Sequence, residues 1–329
     1  MTNNSFESLT PEIVISTVEQ AIGEPMSGLA AALPSYINRV YELQSMQGER
    51  IIAKFYRPDR WDYEAIADEH EFVFDCAEHE IPVITPNLFP DHDSIHYAAG
   101  LYFTTFPKQS GRELELNTPE DWNRLGQVIG RMHNVGAKDE ASGRMTLTPA
   151  KTTEKFIDYL LAGDFISGHN RKSFTAVCRK IVKLIGSRFD DFEFIRIHGD
   201  CHRANILDRP DLGLMIIDFD DMMNGTPVQD LWLLLPEHIQ NCQDKFYELL
   251  DGYCMFRDFD DRSIKLIEPL RIMRMIYFLS WCAFQSRDHK FQHNFPDWGS
   301  DQFWRNEIND LEKQYSIIVE SDKIFTGYL

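Results

Sequence analysis

Basic charge is scarce in this sequence. Its 329 residues include 33 Lys and Arg against 52 Asp and Glu, which gives a formal net charge of −19. A surface of that sign repels the backbone of nucleic acids, so we expect no nucleic-acid partner. Most of these acids are expected to form a solvated surface, and their excess favours a partner with a cationic patch.

Paired cysteines and long apolar runs are also missing. The six cysteines form no CxxC or His-rich pattern, which argues against a zinc site and a disulfide framework. The polar residues 1–5 do not resemble a signal peptide, so we expect reduced thiols and a cytoplasmic protein. The longest apolar run, residues 275–284, is too short to span a bilayer, and we expect no membrane association. Cys201 is expected to be inert packing, with redox sensitivity as the alternative.

Repeats and low-complexity segments are absent as well. The length exceeds what one small core needs and suits two lobes. A hydrophobic content of 43% with 12% aromatic residues is ample for a packed interior. We expect a monomer.

The most informative stretch is residues 195–230. Two short apolar runs, 194–197 and 214–217, are each followed by acids and amides, and such runs are typical of β-strands. The link at 208–213 contains Asp, Pro and Gly and has hairpin-turn chemistry. The polar clusters are therefore expected to lie close together at the ends of neighbouring strands.

Three oxygen-bearing side chains stand at these strand ends. Asp200 and Asn205 follow the first run, and Asp218 follows the second. Hard divalent cations such as Mg²⁺ choose this ligand set, usually with substrate phosphates completing the shell. Each residue alone would more often be a turn-forming Asp or Asn, but their combination favours a metal and catalytic site.

The motifs His-Gly-Asp-x-His-x-x-Asn and Ile-Asp-Phe-Asp resemble the catalytic and metal loops of the aminoglycoside phosphotransferase and choline kinase group. In those enzymes they stand where protein kinases carry His-Arg-Asp and Asp-Phe-Gly. The resemblance implies that Asp200 orients or deprotonates the attacking hydroxyl. It also implies that Asn205 and Asp218 hold Mg²⁺ against the phosphates of ATP, with Asp218 counted as catalytic and Asp220 as a further metal ligand.

Lys54 lies in an apolar strand at 50–55, where an unpaired charge would be costly. The helix expected at 60–79 offers Glu69 and Glu71 as partners. By resemblance to a kinase small lobe, Lys54 grips the α- and β-phosphates, and the family pattern favours Glu69 over Glu71. The alternative is an edge-strand lysine that points into water.

A GxGxxG loop over the phosphates is lacking. Residues 33–41 take its place, and there Ser35 is the first candidate phosphate donor and Asn38 the second. A plain turn is the alternative for each residue. The loop and the following Lys54-Phe-Tyr-Arg-Pro segment resemble bacterial enzymes called stress response kinase A. By position, the backbone of Phe103 and Thr105 is expected to bind adenine.

Two further elements support this interpretation. Asp230 resembles the large-lobe aspartate that braces the catalytic loop through backbone N–H groups. A helix is expected at 268–285. Its Arg271 and Arg274 are expected to line the acceptor side of the cleft or to pair with its acids, with a buried structural ion network as the alternative.

The sequence thus predicts an α+β, protein-kinase-like two-lobe fold. Residues 1–106 would form the small ATP-binding lobe and residues 107–329 the large catalytic and acceptor-binding lobe. The predicted function is ATP- and Mg²⁺-dependent transfer of the γ-phosphoryl group to a hydroxyl, and the resemblance implies a protein Ser/Thr acceptor in a stress response. The alternatives are a small-molecule kinase for an aminoglycoside, choline or homoserine-like alcohol, and a nucleotide-binding pseudokinase regulator. A metal hydrolase is a remote third.

Overall fold

A Thr-Pro pair starts the first helix. The computed structural model describes residue 6 and residues 9–35, 37–209, 212–286 and 288–326, without the side chains at 289, 290 and 322–326. Helix α1 (Pro11–Ile22) begins at Thr10, whose side chain accepts a hydrogen bond from the Ile13 N–H, and ends at Gly23 with φ of 78°. The Thr-Pro pair predicts a helix that runs from there to about Ala21, and the capped helix agrees with this prediction.

An antiparallel sheet forms the small lobe. In the described part of the chain it has five strands in the order β1-β2-β3-β5-β4. The strands are β1 (Met26–Leu33), β2 (Arg39–Ser45), β3 (Arg50–Phe55), β4 (His96–Ala98) and β5 (Leu101–Pro107). Helix α1 packs on one face of this sheet, and their buried side chains form a separate small-lobe core that includes Val14, Leu43 and Phe55.

Helix α2 (Tyr63–Glu78) follows β3 and begins at Asp62, which accepts a hydrogen bond from the Ala65 N–H. The sequence of residues 83–88 predicts a strand. The structure has instead an isolated bridge from Val83 to Ile216 and a hydrogen bond from the Asn87 N–H to the Thr105 carbonyl of β5.

The large lobe is mostly helical. Its buried side chains join those of α2 in one extended core, in which Phe72 packs edge-on against Phe219. The helices are α3 (Pro119–Gly136), α4 (Glu154–Ala162), α5 (Gly168–Ile185), α6 (Val228–Trp232), α7 (Gln243–Tyr253), α8 (Ile267–Gln285), α9 (His289–Asn294) and α10 (Asp301–Thr326). Among the described residues, no helix combines the length and apolar character needed to cross a membrane.

Short strands carry the polar loops. They are β6 (Arg112–Glu113), β7 (Ile195–Ile197), β8 (Ile206–Arg209), β9 (Gly213–Ile216) and β10 (Met223–Gly225). Strand β7 pairs with β10, whereas β9 pairs with β8 as a hairpin. The two predicted strands are therefore present but do not pair with each other, because the chain adds β8 between them. Positions 210 and 211 of the predicted turn lie outside the described residues.

Candidate active site

The catalytic loop is held by its backbone. Asp230, at the start of the large-lobe helix α6, accepts hydrogen bonds from the His198 N–H at 2.7 Å and the Gly199 N–H at 2.9 Å. His133 contacts the same carboxylate at 3.1 Å, so this buried histidine is more than core packing. Gly199 has φ of 80°, and a Cβ there would lie 2.2 Å from the Asp221 carbonyl oxygen. The loop therefore requires glycine at this position.

Backbone contacts also join the catalytic loop to the predicted metal loop. The Ile217 N–H donates to the Asn205 carbonyl at 2.9 Å, and the His198 ring lies 2.9 Å from the Ile217 carbonyl. Asp218 follows in the left-handed region with φ of 61°, a conformation that non-glycine residues adopt rarely. Asn205 donates its Nδ2 to the Asp200 carbonyl at 3.0 Å, so its remaining polar atom, Oδ1, is the one it can offer to a metal.

Lys54 is buried among carboxylates. Its Nζ lies 3.1 Å from Glu69, 3.0 Å from Asp220 and 3.6 Å from Asp218. Burial alone would lower the pKa of Lys54, but the charges of Asp220 and Glu69 outweigh it and raise that pKa well above the usual value. Glu69 is buried within α2 and Glu71 is exposed, which leaves Glu69 as the helix partner of Lys54.

Sequence reasoning missed two arginines of this cluster. Arg60 binds Asp220 through Nη1 and Asp221 through Nη2, the latter at 2.6 Å. Arg144 lies 3.0 Å from Glu69 and donates to the Asp220 carbonyl at 2.7 Å. Arg60 follows the quoted Lys-Phe-Tyr-Arg-Pro segment closely, whereas Arg144 lies in a loop without any recognisable motif.

Asp220 therefore faces cations on both carboxylate oxygens. Burial would raise the pKa of Asp220, but Arg60 and Lys54 outweigh it and hold that pKa well below its usual range. Burial raises the pKa of Asp221, and the neighbouring charge of Arg60 opposes this rise only in part. The Tyr277 hydroxyl donates to Asp221 at 2.9 Å.

Asp200 is paired with Arg274. The guanidinium Nη2 lies 2.5 Å from Asp200 Oδ1, and His202 lies 3.4 Å from Oδ2. Burial would raise the pKa of Asp200, but the hydrogen bond from His202 and the charge of Arg274 lower it to about 2. Arg274 therefore pairs with an acid of the cleft, which is one of the contacts predicted for it from the sequence. Arg271 instead contacts Glu268 at 3.1 Å.

These groups surround a cavity of about 350 Å³ between the lobes, here called the catalytic cavity. Five predicted site residues line it, and Lys54, Glu69 and Asn205 lie behind or beside them. The lining residues are Pro34, Ser35, Ile37, Asn38, Asp200, Asp218, Asp220, Asp221, Arg274, Tyr277, Phe278 and Trp281.

The predicted phosphate loop lies over this cavity. Asn38 is buried, and its Oδ1 accepts a hydrogen bond from the Arg57 N–H at 3.1 Å, which ties the loop to the end of β3. Its Nδ2 is therefore the atom it can turn toward a phosphate. Arg39 and Arg57 both contact Asp288 of the large lobe, at 2.7 and 3.2 Å.

One of the two predicted adenine contacts needs correction. Phe103 is fully buried, stacks on Phe55, and has a strand on each side because it pairs with both β3 and β4. The Thr105 carbonyl accepts the Asn87 N–H at 2.7 Å. The backbone of Phe103 is enclosed by strands on both sides, which argues against it as an adenine contact, whereas the contact expected at Thr105 stays a prediction.

Cys201 is buried next to the base candidate. Burial raises the pKa of its thiol well above the usual value, which disfavours the reactive thiolate. The structure thus supports inert packing over redox sensitivity.

Comparison with known proteins agrees with this geometry. Residues 30–267 match the Phosphotransferase enzyme family. The chain belongs to this family. As a phosphotransferase it is 32% identical to stress response kinase A of Escherichia coli K12 over 329 residues, with 97% of each chain covered. It is 31% identical over 318 residues to the serine/threonine protein kinase RdoA of Salmonella typhimurium LT2, with 96% of this chain and 95% of the relative covered. The predicted resemblance is confirmed.

Solved structures show the same fold. An amicoumacin kinase in complex with AMP-PNP, Ca²⁺ and Ami is 18% identical and superposes with a TM-score of 0.71, covering 97% of this phosphotransferase and 94% of that chain. The choline kinase LicA from Streptococcus pneumoniae is 16% identical with a TM-score of 0.64, covering 93% and 98%. The predicted two-lobe kinase-like fold is confirmed, and the phosphotransferase acts as an ATP-dependent kinase.

Proposed function

We propose that this phosphotransferase transfers the γ-phosphoryl group of ATP to a Ser or Thr hydroxyl of a protein. The observation that carries the proposal is the convergence of Asp200, Asp218 and Ser35 on one cavity, with the Lys54–Glu69 pair behind it. In this proposal residues 1–106 bind the nucleotide, and residues 107–329 supply the catalytic loop and the acceptor site.

Asp200 would position the acceptor hydroxyl. The hydroxyl oxygen attacks the γ-phosphorus, the bond to ADP breaks, and the hydroxyl proton passes to the Asp200 carboxylate. A group with a pKa of about 2 is a weak proton acceptor near neutral pH. We therefore assign orientation as its main role and expect the proton to move late, in keeping with phosphoryl transfer that depends mostly on positioning and electrostatics.

The oxygen donors fit a hard divalent cation. Asp218 presents a half-exposed carboxylate at the catalytic cavity, and Asn205 has its amide oxygen available on the adjoining loop. These two residues would hold Mg²⁺, which would neutralise charge on the nucleotide phosphates when bound. Asp220 is a poorer ligand than the sequence suggested, because Lys54 and Arg60 already engage both of its oxygens.

The relatives favour a protein acceptor in a bacterial stress response. They are named stress response kinase A and serine/threonine protein kinase, and they match this chain over nearly their whole length. The small-molecule alternative is suggested by structural neighbours whose identity is 18% or less. A radiolabelled-phosphate assay distinguishes them, because transfer to a generic protein supports the first and transfer to an amino alcohol alone supports the second.

Two substitutions test the assigned roles. We expect Asp200→Ala to lower turnover by about 10²- to 10⁴-fold while metal-dependent nucleotide binding persists, because the hydroxyl loses its positioning group. We expect Asp218→Ala to weaken nucleotide binding in Mg²⁺, because a metal ligand is lost. Turnover and calorimetric ATP binding, with and without Mg²⁺, provide the measurement.

Asp164→Ala is the matched control, since that aspartate is exposed on the surface between α4 and α5. It should behave as the unaltered protein. Unaltered turnover in both active-site variants would exclude the proposed assignment.

A further inference from the structure

One face of α8 leads away from the catalytic carboxylate. Arg274, Tyr277, Phe278, Trp281 and Phe284 recur every three or four residues, so they share a side of the helix. This side remains accessible, since Phe278 is 42% and Phe284 is 40% exposed. Neighbouring aromatic side chains are seldom exposed to solvent together, and such apolar patches often mark binding surfaces.

A second cavity of about 290 Å³ lies at the far end of this face. It shares Tyr277 and Trp281 with the catalytic cavity, so the two cavities adjoin along α8. Tyr159 of α4 lines the second cavity as well and is 40% exposed. Six of its ten lining residues are aromatic: Trp61, Phe156, Tyr159, Tyr277, Trp281 and Phe284. We call the two cavities with the α8 face between them the α8 groove.

The length of the groove discriminates between acceptors. Ten residues of helix separate Arg274 from Phe284, which corresponds to about 15 Å along the helix axis. An extended polypeptide covers that distance with roughly four to five residues. A small alcohol bound at Asp200 would leave the aromatic end uncovered.

We propose that the α8 groove binds an extended segment of the protein acceptor. The phosphorylated Ser or Thr lies at Asp200, and an apolar side chain such as Phe or Leu, about four to five residues away, enters the second cavity. Asp59 and Arg60 both line that cavity, and Arg60 is paired with Asp220 and Asp221, so Asp59 and the net charge of −19 favour a segment with basic rather than acidic residues beside the apolar one. This inference rests on the protein acceptor proposed above.

A peptide series tests it. Each peptide carries one Ser in a background of Ala and Arg, and a single Phe is moved from six positions before the Ser to six positions after it. An otherwise identical peptide without Phe gives the reference. The readout is kcat/KM for phosphate transfer from labelled ATP, expressed as the ratio of each Phe peptide to the reference.

We expect the ratio to reach about tenfold when Phe stands four or five residues from the Ser on one side, consistent with partial burial of one aromatic ring. Phe284 of α8 and Tyr159 of α4 line the second cavity from two different helices. In Phe284→Ala and in Tyr159→Ala this ratio should therefore fall toward one. Phe256→Ala is the matched control, because Phe256 is also exposed, at 45%, but follows α7 and lies over Arg131. It should keep the full ratio.

The outcomes separate the two proposals. If the reference peptide is phosphorylated but no position of Phe raises its rate, the groove inference is wrong and the proposed function stands. A preference that persists in both wall variants also contradicts the inference. If no peptide or protein is phosphorylated while an amino alcohol is, the proposed acceptor class is wrong and the groove inference fails with it.

Discussion

Two arginines one turn apart on α8 have different environments. Arg274 reaches Asp200 at 2.5 Å and lines the catalytic cavity. Arg271 pairs with Glu268 and lies over the Trp232 ring, 4.6 Å from its centroid. At the scale of single residues, Arg274 is therefore the side chain of α8 whose charge, together with the hydrogen bond from His202, lowers the pKa of the predicted base.

Replacement of Arg274 should make the reaction more sensitive to acid. The pKa of Asp200 is depressed in the folded protein, so its carboxylate is ionised across the neutral range. In Arg274→Gln the carboxylate loses an opposite charge while it stays buried, so its pKa should rise. We expect the ratio of variant to unaltered kcat/KM to fall as the pH is lowered from about 7 toward 5.

Arg271→Gln controls for loss of a guanidinium from the same helix, and its ratio should not vary with pH. A ratio for Arg274→Gln that is equally flat would show that Arg274 does not set the charge of Asp200.

At the scale of elements, the catalytic loop depends on a close approach between two backbones. Gly199 combines a positive φ with a position where a Cβ would meet the Asp221 carbonyl at 2.2 Å. Gly213, at the β8–β9 turn, has a similar φ of 87° but open space around it. A side chain at either position would be strained by the positive φ, but only at position 199 would it also clash with another backbone. A comparison of the two positions therefore distinguishes the effect of strain from that of the clash.

Alanine at each position should destabilise the protein, since a left-handed alanine costs about 1–2 kcal/mol. In Gly199→Ala, the added contact should also displace the loop and lower turnover by more than about tenfold. Urea unfolding and steady-state kinetics measure the two effects. Equal losses of turnover in Gly199→Ala and Gly213→Ala would argue against a loop held in place by this contact.

Part of the site could be predicted from short segments of sequence. The position of the acids followed from the ends of the short strands and from the family motifs. The Lys54–Glu69 pair followed from the cost of burying a charge and from the family pattern. The placement of Phe103 did not follow, because sequence position could not show that β4 folds back and covers that part of β5. Arg144 was missed because its contacts with Glu69 and Asp220 join segments distant in sequence.

At the scale of the whole molecule, Asp288 joins the lobes beside the phosphate loop. It follows α8 and contacts Arg39 of β2 and Arg57 at the end of β3, which are 249 and 231 residues away along the chain. Phe6 lies beside both guanidinium groups. This contact therefore joins the small-lobe sheet to the segment that follows α8.

Asp288→Asn should weaken lobe closure. Because partly exposed ion pairs contribute modestly, we expect the KM for ATP to rise by about two- to fivefold, with a smaller effect at high salt. The radius of gyration from small-angle scattering without nucleotide should increase.

Glu42→Gln is the control, since Glu42 bridges Arg50 of β3 and Lys108, the residue directly after β5, at 2.6 and 2.7 Å along the small-lobe sheet. If both variants change the KM and the radius of gyration alike, Asp288 has no special part in joining the lobes.

The catalytic cavity has a further consequence for the order in which ligands arrive. Four aspartates and a single arginine are the charged residues in its described lining. Arg274, Lys54 and Arg60 pair with Asp200, Asp220 and Asp221, but the half-exposed Asp218 would still place like charge close to a free triphosphate. We therefore expect the cavity to accept the nucleotide together with a divalent ion in preference to the free triphosphate, so a shortage of free divalent ions would slow this kinase without any change to the polypeptide.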